Sequence, residues 1–531
     1  MTCPKCGSEN TLNWGKVCGK PRIACSDCGR TSVVGARSGA TIYRLSTCPK
    51  CNSNDEFAIA GMKRGIRYMS CTFCGRQTRR ESLEPQKDAS GTRFLITAAQ
   101  NATRVSRGFL SAIKNYAAHR KADIIIVPMR YRNPTRPGED TDDNWWHKDL
   151  TEYLVDQRLR ICKGLQLLSD IKVQPTAVSP LSGLDTITGG ESAIVGHTKM
   201  AMDAKATRAG DLPKLLWTTG ACTVQNYSDS KAGKKGEFHH VIGGLVVDVV
   251  GGKFHVTQII AERDGSFIHL DKRYTPSGVE DAKPAEAVIL GDLHVRRADP
   301  KNRAAIPNLV SKVKAKRIVA HDVLDMDSAS HHHTFFDRFL RRVKGQDCVE
   351  DEIAETCAYL DELAKLAPVT VVSSNHHDHL TRWLEKYQNG DDVQNAIVFH
   401  RAKAAVLEHI STHHEVPDAF AMIAAQVCRG SVNFLRPNES YSVKGIELGY
   451  HGDRGPNGAR GTLKAFDGIG VKTVTGHGHS PGIVGGAWRV GTSSLLDMGY
   501  NQGPSSWLHT HCIIYANGKR ALVSVIDGEF C

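Results

Sequence analysis

The 531-residue sequence predicts an α/β protein that carries two small cysteine-rich modules at its N-terminus. Paired cysteines recur before residue 75, strand-like apolar runs alternate with helix-like stretches from residue 92, and polar motifs follow five of the later runs. The chain ends in a predicted hairpin around Asn517-Gly518. Its 40% hydrophobic content supplies a core, and no apolar run reaches the roughly 18 residues of a membrane span. The N-terminal residues MTCPKCGSEN also lack the apolar stretch of a signal peptide, so disorder, membrane insertion and secretion are expected to fit poorly.

Residues 1–80 contain four CxxC pairs arranged as an internal repeat. Gaps of 18 and 19 residues separate the pairs within each half, and CPKCGSEN is echoed by CPKCNSND at a shift of 45–46 residues. Thiolates at this spacing bind one tetrahedral ion, and segments this short need such an ion to fold. The sequence therefore predicts two zinc ribbons with two structural zinc ions. The predicted ligands are Cys3, Cys6, Cys25, Cys28, Cys48, Cys51, Cys71 and Cys74.

The basic charge of the chain is concentrated in the same block. Residues 1–80 hold 14 Lys and Arg against 4 Asp and Glu, whereas the other 451 residues hold 54 against 52. Basic side chains beside Tyr68 and Phe73 suit phosphate neutralisation and base stacking, so DNA is the expected partner; a purely structural ribbon is the alternative. The predicted nucleic-acid contacts are Lys63, Arg64, Arg67, Arg76, Arg79 and Arg80.

A polar linker over 81–91 leads into an α/β region of unknown role, residues 92–283. RFLIT predicts a strand, Ala99–His119 a helix and ADIIIVPM a second strand. VIGGLVVDVVGG and KFHVTQIIAE predict a strand pair joined at Gly251-Gly252. Histidines occur in this region without the spacing of metal ligands, and we expect them to be structural.

Five polar motifs occur in order within residues 284–531, each after a strand-like segment. They are Gly291-Asp292-Leu293-His294, His321-Asp322, Asn375-His376, His451 and Gly476-His477-Gly478-His479. Strands aim polar side chains into the loops at their carboxyl ends, where α/β sheets place active sites. Asp, His and Asn donors suit manganese, zinc or iron better than calcium, and one carboxylate can bridge two ions. The pattern predicts a two-metal site that cleaves phosphoesters.

This ordered set resembles the calcineurin-like metallophosphoesterases, whose pattern is D-x-H, GD, GNH, a lone His and GH-x-H. The resemblance covers about residues 284–531. It implies a two-sheet sandwich flanked by helices, with two manganese or other divalent transition-metal ions, and it makes His376 the acid that protonates the leaving oxygen. The ligands that it implies are Asp292, His294 and His479 for the first ion, Asn375, His451 and His477 for the second, and Asp322 for both.

Two motifs depart from the family pattern. His321 stands where the family has Gly, and Ser374 replaces the Gly before Asn375. An additional His displaces the next acid to Asp378, so the group that orients the catalytic His is not identified by the motif.

Other polar residues near the motifs have simpler interpretations. Asp325 and Asp327 are expected to be helix caps or surface carboxylates, and His331–His333 an exposed turn. His413 or His414 could take the place of the lone His of the fourth motif, but neither follows a strand-like run.

Four further segments look like a group of tailed-phage proteins that includes an early host-genome-degrading nuclease. They are TTGACTVQNYSDS, EFHHVIGGLVVDV, GHGHSPGIVGG and PSSWLHTHCIIYANGKR. This resemblance implies a manganese-dependent DNase that acts in host DNA degradation, in the host cytoplasm. The alternatives are a phosphoesterase of nucleotides or phosphoproteins and a non-catalytic nucleic-acid-binding adaptor. Endo or exo action and a homo-oligomeric state are left open.

Overall fold

The computed structural model describes most of the chain in two units. The described residues are 8–17, 20–27, 31–33, 57–63, 66–71, 74, 76–79, 87–129, 145–208, 210–330, 334–386 and 392–531. One unit comprises Met1–Pro85 and Arg136–Trp145, and the other comprises Gln86–Thr135 and Trp146–Cys531. Within the described residues, no helix combines the length and the apolarity needed to cross a membrane.

The first unit contains two three-stranded antiparallel sheets that repeat one another. The strands are β1 (Thr11–Val17), β2 (Lys20–Cys25), β3 (Thr31–Val33), β4 (Phe57–Lys63), β5 (Ile66–Cys71) and β6 (Gln77–Arg79). Each strand of the second sheet has the length of its counterpart and begins 46 residues after it, which is the shift of the sequence repeat. The repeated motif therefore forms the same local structure twice.

The predicted zinc ligands and DNA contacts fall partly within this unit's described residues. Cys25 and Cys71 are buried at the ends of β2 and β5, and Cys74 is half-buried. Arg76 is exposed. Lys63, Arg67 and Arg79 belong to β4, β5 and β6. The predicted residues outside the described part are Cys3, Cys6, Cys28, Cys48, Cys51, Arg64 and Arg80.

The second unit is a mixed α/β structure. Its strands are β7 (Lys87–Asp88), β8 (Arg93–Gln100), β9 (Asp123–Met129), β10 (Leu159–Cys162), β11 (Leu165–Leu167), β12 (Ser192–Val195), β13 (Met202–Lys205), β14 (Lys214–Thr218), β15 (Gly243–Val250), β16 (Lys253–Ile260), β17 (Phe267–His269), β18 (Lys272–Thr275), β19 (Gly278–Asp281), β20 (Ala287–Ile289), β21 (Ile318–Ala320), β22 (Val369–Val371), β23 (Val432–Phe434), β24 (Ser442–Val443), β25 (Ile446–Glu447), β26 (Lys472–Thr475), β27 (Gly482–Val484), β28 (Ala487–Arg489), β29 (Thr510–Ile514) and β30 (Arg520–Ser524). Its helices are α1 (Arg107–Arg120), α2 (Lys231–His239), α3 (Pro300–Lys312), α4 (Phe335–Val343), α5 (Val349–Ala364), α6 (His377–Lys386), α7 (Ala396–His413), α8 (Ala419–Val427) and α9 (Leu463–Asp467).

Two large sheets of this unit share one hydrophobic core. One has the strand order β23-β22-β21-β20-β29-β30, and the other runs β24-β25-β26-β28-β27-β13-β14-β12-β11-β10-β7. Ile289 and Val319 of the first sheet belong to the same buried cluster as Val474 and Trp488 of the second. Successive strand residues point to opposite faces, so the neighbours of Ile289 and Val319 in sequence pack instead against α3, α5 and α8. The two sheets therefore face each other, with helices on the outer face of the six-stranded sheet.

The domain boundary predicted after residue 283 does not separate two units. β13 pairs with β27, with Met202 opposite Ile483, so strands from both sides of that boundary share the eleven-stranded sheet. The predicted linker also ends early, because Lys87–Asp88 pairs with β10, while 81–86 lie outside the described residues. Hydrophobic periodicity identifies strands, but it does not show which strands pair.

Several local predictions can be compared with the elements themselves. The strand pair joined at Gly251-Gly252 is confirmed, and both glycines have positive φ. The helix predicted from Ala99 begins instead at Arg107, because β8 continues to Gln100, where it pairs with β9. The segment before His451 is not one strand but two short ones, β24 and β25, joined by a turn.

Candidate metal centre

The carboxyl ends of three adjacent parallel strands carry the first three motifs. Asp292 and His294 follow β20, Asp322 follows β21, and Asn375 and His376 follow β22. Because β20, β21 and β22 are parallel neighbours, their carboxyl ends meet at one edge of the six-stranded sheet. Side chains that are up to 84 residues apart in the sequence are thereby brought together.

The other two motifs come from the facing sheet. His451 follows β25, and His477 and His479 follow β26, its parallel neighbour. Gly476 begins this last loop, and a Cβ there would lie 2.2 Å from Asp292 Oδ1. Only glycine allows the backbone of this loop to approach the carboxylate so closely.

Asp292, His294, Asp322 and His479 form a buried cluster in which the ligand atoms lie within 4.8 Å of one another. His479 Nε2 is 3.1 Å from His294 Nε2 and 3.1 Å from Asp292 Oδ2. Neighbouring ligands of one ion are about 3 Å apart when metal–nitrogen bonds are about 2.0–2.1 Å long. The cluster can therefore hold a metal ion, and its members are the predicted ligands of the first ion together with the predicted bridge.

Buried polar atoms of the centre lack the hydrogen bonds that a site made of protein alone would need. Both carboxylate oxygens of Asp292, Oδ1 of Asp322 and both ring nitrogens of His451 have no well-aligned hydrogen bond to the described residues. An unpaired buried polar atom costs about 1–3 kcal/mol. A divalent transition-metal ion would satisfy such a set of carboxylate and imidazole donors.

The predicted ligands of the second ion lie beside the same bridging carboxylate. His451 Nε2 is 3.3 Å from Asp322 Oδ2, and the ring centroids of His451 and His477 are 5.2 Å apart. Asn375 Oδ1 is buried without a hydrogen-bond partner among the described residues. The structure thus places donors from both sheets around Asp322.

The carboxylates and histidines of the centre shift one another's pKa. Burial alone would lower the pKa of His294 and His451, but Asp325 and Asp322 respectively raise it to about 9. Burial would raise the pKa of Asp322, but His376, His451 and His294 hold it well below its usual range. The two histidines are therefore doubly protonated at neutral pH in the metal-free protein, and the additional proton of each must leave when a metal binds.

Asp325 belongs to the centre, although the sequence predicted a cap or a surface carboxylate. It is 4% exposed, and its Oδ1 lies 2.9 Å from His294 Nδ1. Its backbone carbonyl accepts a hydrogen bond from His376 Nδ1 at 3.0 Å. Left-handed backbone at Asp322 and Met326 turns the chain back on itself, which brings Asp325 inside. A spacing of three residues after Asp322 was the available signal, but spacing alone does not show the direction of this turn.

The surroundings of Asp325 extend the polar network outward. Arg297 lies 3.5 Å from Asp325 Oδ2 and 2.7 Å from Asp327 Oδ2, and Arg341 of α4 lies 2.7 Å from the same Asp327 oxygen. Asp327 is therefore a part-buried link between two arginines and not a surface carboxylate. Asp378, the displaced acid of the third motif, accepts a hydrogen bond from Arg454 at 2.5 Å.

The remaining predicted histidines have other positions. His321 is fully buried, its ring centroid is 5.6 Å from that of His451, and burial lowers its pKa to about 4. His413 and His414 are exposed at the end of α7. The turn predicted at His331–His333 lies outside the described residues.

Four residues of the centre have left-handed backbone conformations. The φ angles are 42° at His294, 43° at Asp322, 65° at His477 and 51° at His479. This conformation costs a residue with a Cβ roughly 1–2 kcal/mol. Such strain persists only where the surrounding structure fixes it, and it clusters at functional sites. The loops of the centre therefore keep strained backbone conformations that position the donor atoms.

Comparison with known proteins gives one informative relative. No family model matches the chain, and no solved structure matches it. The chain is 32% identical over 470 residues to Protein A1 of Escherichia phage T5, an alignment that covers 85% of this chain and 84% of that protein.

Proposed function

The chain belongs to the family of Protein A1 of Escherichia phage T5, and from that premise we propose that it is a metal-dependent nuclease that hydrolyses DNA phosphodiester bonds. The observation that carries the proposal is the buried Asp292–His294–Asp322–His479 cluster at the strand ends. Paired divalent ions on such donors are suited to phosphoester hydrolysis. The phage relative supports a role in the phage cycle, for which we propose host DNA degradation in the host cytoplasm.

The proposed site is a metallophosphoesterase-type centre between two facing sheets. Bound divalent ions would neutralise phosphate charge and lower the pKa of a water molecule. The residues that would hold them are Asp292, His294 and His479, then Asn375, His451 and His477, with Asp322 shared. The phosphate of a substrate would arrive beside Asn375, His376 and His477, which are partly exposed.

His376 is the residue proposed to protonate the leaving oxygen. Its Nδ1 donates to the Asp325 carbonyl, so the proton on that nitrogen is fixed. Its Nε2 lies 3.7 Å from Asp322 Oδ2 and faces the centre. When the ring is an imidazolium, Nε2 carries the second proton and can give it to the leaving oxygen, which leaves a neutral ring with its proton on Nδ1.

The N-terminal unit is proposed to hold DNA through two zinc ribbons. Its charge of +10 over residues 1–80 contrasts with +2 over the rest of the chain, so phosphate attraction is concentrated there. Metal analysis should find about two zinc ions per chain. Cys71→Ser should release zinc, whereas Cys222→Ser, at a buried cysteine of the other unit, should retain it. If neither variant released zinc, the proposal of zinc ribbons would be wrong.

The central test is cleavage of linear and circular DNA by the full chain with Mn²⁺. Asp322→Ala and His376→Ala should abolish cleavage, because they remove the shared carboxylate and the proposed acid. Matched controls are Asp281→Ala, at an exposed carboxylate paired with Lys272, and His413→Ala, at an exposed histidine. Both controls should cleave like the parent protein.

Two other outcomes would overturn the proposal in different ways. Turnover of a small phosphodiester without any DNA cleavage would favour a phosphoesterase of nucleotides or phosphoproteins. Zinc alone in the protein, with no binding of Mn²⁺ and no hydrolysis, would favour a non-catalytic adaptor.

A further inference from the structure

The segment between β28 and β29 borders the metal centre and presents two aromatic rings beside it. Ser493 N donates to the Asp292 carbonyl at 2.7 Å, and Leu508 N donates to the His479 carbonyl at 3.2 Å. The segment is thus tied at both ends to residues of the metal cluster. Tyr500 and Trp507 lie between these ties.

The two rings make successive edge-to-face contacts that start at a predicted metal ligand. The Trp507 ring lies 4.1 Å from the His479 ring, centroid to centroid, at an interplanar angle of 68°. The Tyr500 ring lies 5.9 Å from that of Trp507. Trp507 is half-buried, whereas Tyr500 is 59% exposed. The Tyr500 ring is therefore exposed to solvent, and Trp507 connects it to the predicted metal ligand His479.

A hydrogen-bonded turn holds Tyr500 in this exposed position. Arg297 donates to the Met498 carbonyl at 2.6 Å, Met498 N donates to Asn501 Oδ1 at 2.9 Å, and Asn501 Nδ2 donates to the Leu496 carbonyl at 2.9 Å. A ring presented by a fixed turn loses little conformational entropy when a ligand packs on it.

The charges around Tyr500 also place it within the field of the centre. Most of the ring surface is exposed, but the protein atoms around its hydroxyl raise the pKa of its phenol; Asp325, Asp322 and Asp292 raise it further, while Arg297 lowers it. The phenol therefore stays neutral at every working pH. A neutral, exposed ring beside a cationic metal centre is suited to stacking on a flat, apolar group that is attached to a phosphate.

We propose that Tyr500, supported from behind by Trp507, stacks on the nucleobase next to the scissile phosphate. Base–aromatic stacking is a sequence-tolerant way to hold single strands, because every base has a π-face. A base inside a duplex is already stacked on its neighbours and is not available to this ring. The inference rests on the proposed nuclease function and narrows its substrate to DNA that is single-stranded or locally melted at the cleaved position.

The test uses the full chain, a fluorescent single-stranded oligonucleotide and a duplex of the same sequence. Binding is measured by anisotropy with Ca²⁺, and cleavage is measured with Mn²⁺. Tyr500→Ala should weaken single-strand binding and raise KM about tenfold, with a smaller effect on kcat. Tyr500→Phe keeps the ring and should stay within about twofold of the parent. The matched control is Phe238→Ala, at an aromatic ring that is 84% exposed on α2.

An abasic substitution next to the cleaved position identifies the contact itself. It should weaken binding by the parent and by Tyr500→Phe but not by Tyr500→Ala, because the stacking contact is already absent there. Abasic sensitivity that persists in Tyr500→Ala, or equal affinity of parent and Tyr500→Ala for the single strand, would overturn the inference. If the parent binds the single strand without cutting it, and Tyr500→Ala still loses about tenfold in affinity, the stacking contact stands while the proposed nuclease function fails.

Discussion

Buried histidines of the metal centre and buried histidines elsewhere differ in what their rings face. His197 is fully buried, accepts a hydrogen bond from Lys199 N and contacts the Gln174 carbonyl at 3.0 Å, and burial lowers its pKa to about 4. His451 is equally enclosed, yet Asp322 raises its pKa to about 9 and neither ring nitrogen has a well-aligned hydrogen bond. Burial alone therefore does not separate structural histidines from candidate metal ligands. This pair differs in what faces the ring: Asp322 Oδ2 lies 3.3 Å from His451 Nε2, whereas His197 contacts backbone groups.

The strongest test of this comparison replaces one histidine of each kind with glutamine. His479→Gln removes a ring nitrogen that lies 3.1 Å from both His294 and Asp292. Mn²⁺ binding should weaken by more than about 100-fold, beyond the usual cost of losing an outer-shell partner. His197→Gln should leave Mn²⁺ affinity unchanged and lower the free energy of unfolding by about 1–3 kcal/mol. Isothermal titration calorimetry and urea denaturation measure the two effects. A similar loss of metal affinity in both variants would contradict the distinction.

A smaller effect should come from Asp325, which touches a predicted ligand without belonging to the predicted set. Asp325→Asn should weaken Mn²⁺ binding by about 10–100-fold, because it removes the charge that orients His294 Nδ1. The matched control is Asp361→Asn, since Asp361 accepts hydrogen bonds from the backbone of Arg429 and Gly430 instead. Unchanged metal affinity of Asp325→Asn, measured by calorimetry, would make Asp325 a structural residue.

The pKa shifts predict opposite pH dependences for metal binding and for stability of the metal-free protein. Protons on His294 and His451 compete with metal, so Mn²⁺ affinity should rise by up to about tenfold per pH unit for each proton released. Both pKa values are raised from 6.5 to about 9, so their stabilising contribution is complete below pH 6.5 and is lost as pH rises through 9. Urea denaturation with chelator at pH 6 and pH 9 checks the second effect. The prediction would be wrong if the metal-free stability of the parent fell no more between pH 6 and pH 9 than that of His451→Gln.

The smallest predicted effect concerns the strained backbone. His477→Gly should stabilise the metal-free protein by about 0.5 kcal/mol, because relief of the left-handed conformation exceeds the added entropy of the unfolded chain. His400→Gly, inside helix α7, should destabilise it by about 1 kcal/mol. Thermal denaturation with chelator compares the two. Destabilisation by both would show that His477 is not strained.

The sequence predicted much of the centre because its residues occur as ordered motifs after strands. The order and strand context of the motifs containing Asp292, Asp322 and His479 identified the donors that the structure brings together. Asp325 was missed because a left-handed turn, not helical or strand periodicity, determines where it points. The role proposed for Tyr500 could not be predicted from the sequence, because an exposed ring in a loop carries no periodic signal.

The sequence predicted the fold class but not the order in which the strands pair. Apolar runs located strands such as β15, β16 and β20, and the mixed α/β class agrees with the structure. Which strands pair is decided by long-range packing, so the eleven-stranded sheet crosses a boundary that the motif resemblance had suggested. The N-terminal repeat was predictable from the sequence because each half forms a hairpin of two neighbouring strands with one additional strand.

The left-handed residues of the centre also have a consequence for laboratory evolution. Variants selected only for heat resistance would gain by replacing His477 or His479 with glycine, since glycine adopts the left-handed backbone of these two positions without strain. The same replacements remove the donors on which activity is proposed to depend. A thermostability screen of this protein would therefore enrich inactive molecules unless each round also required turnover.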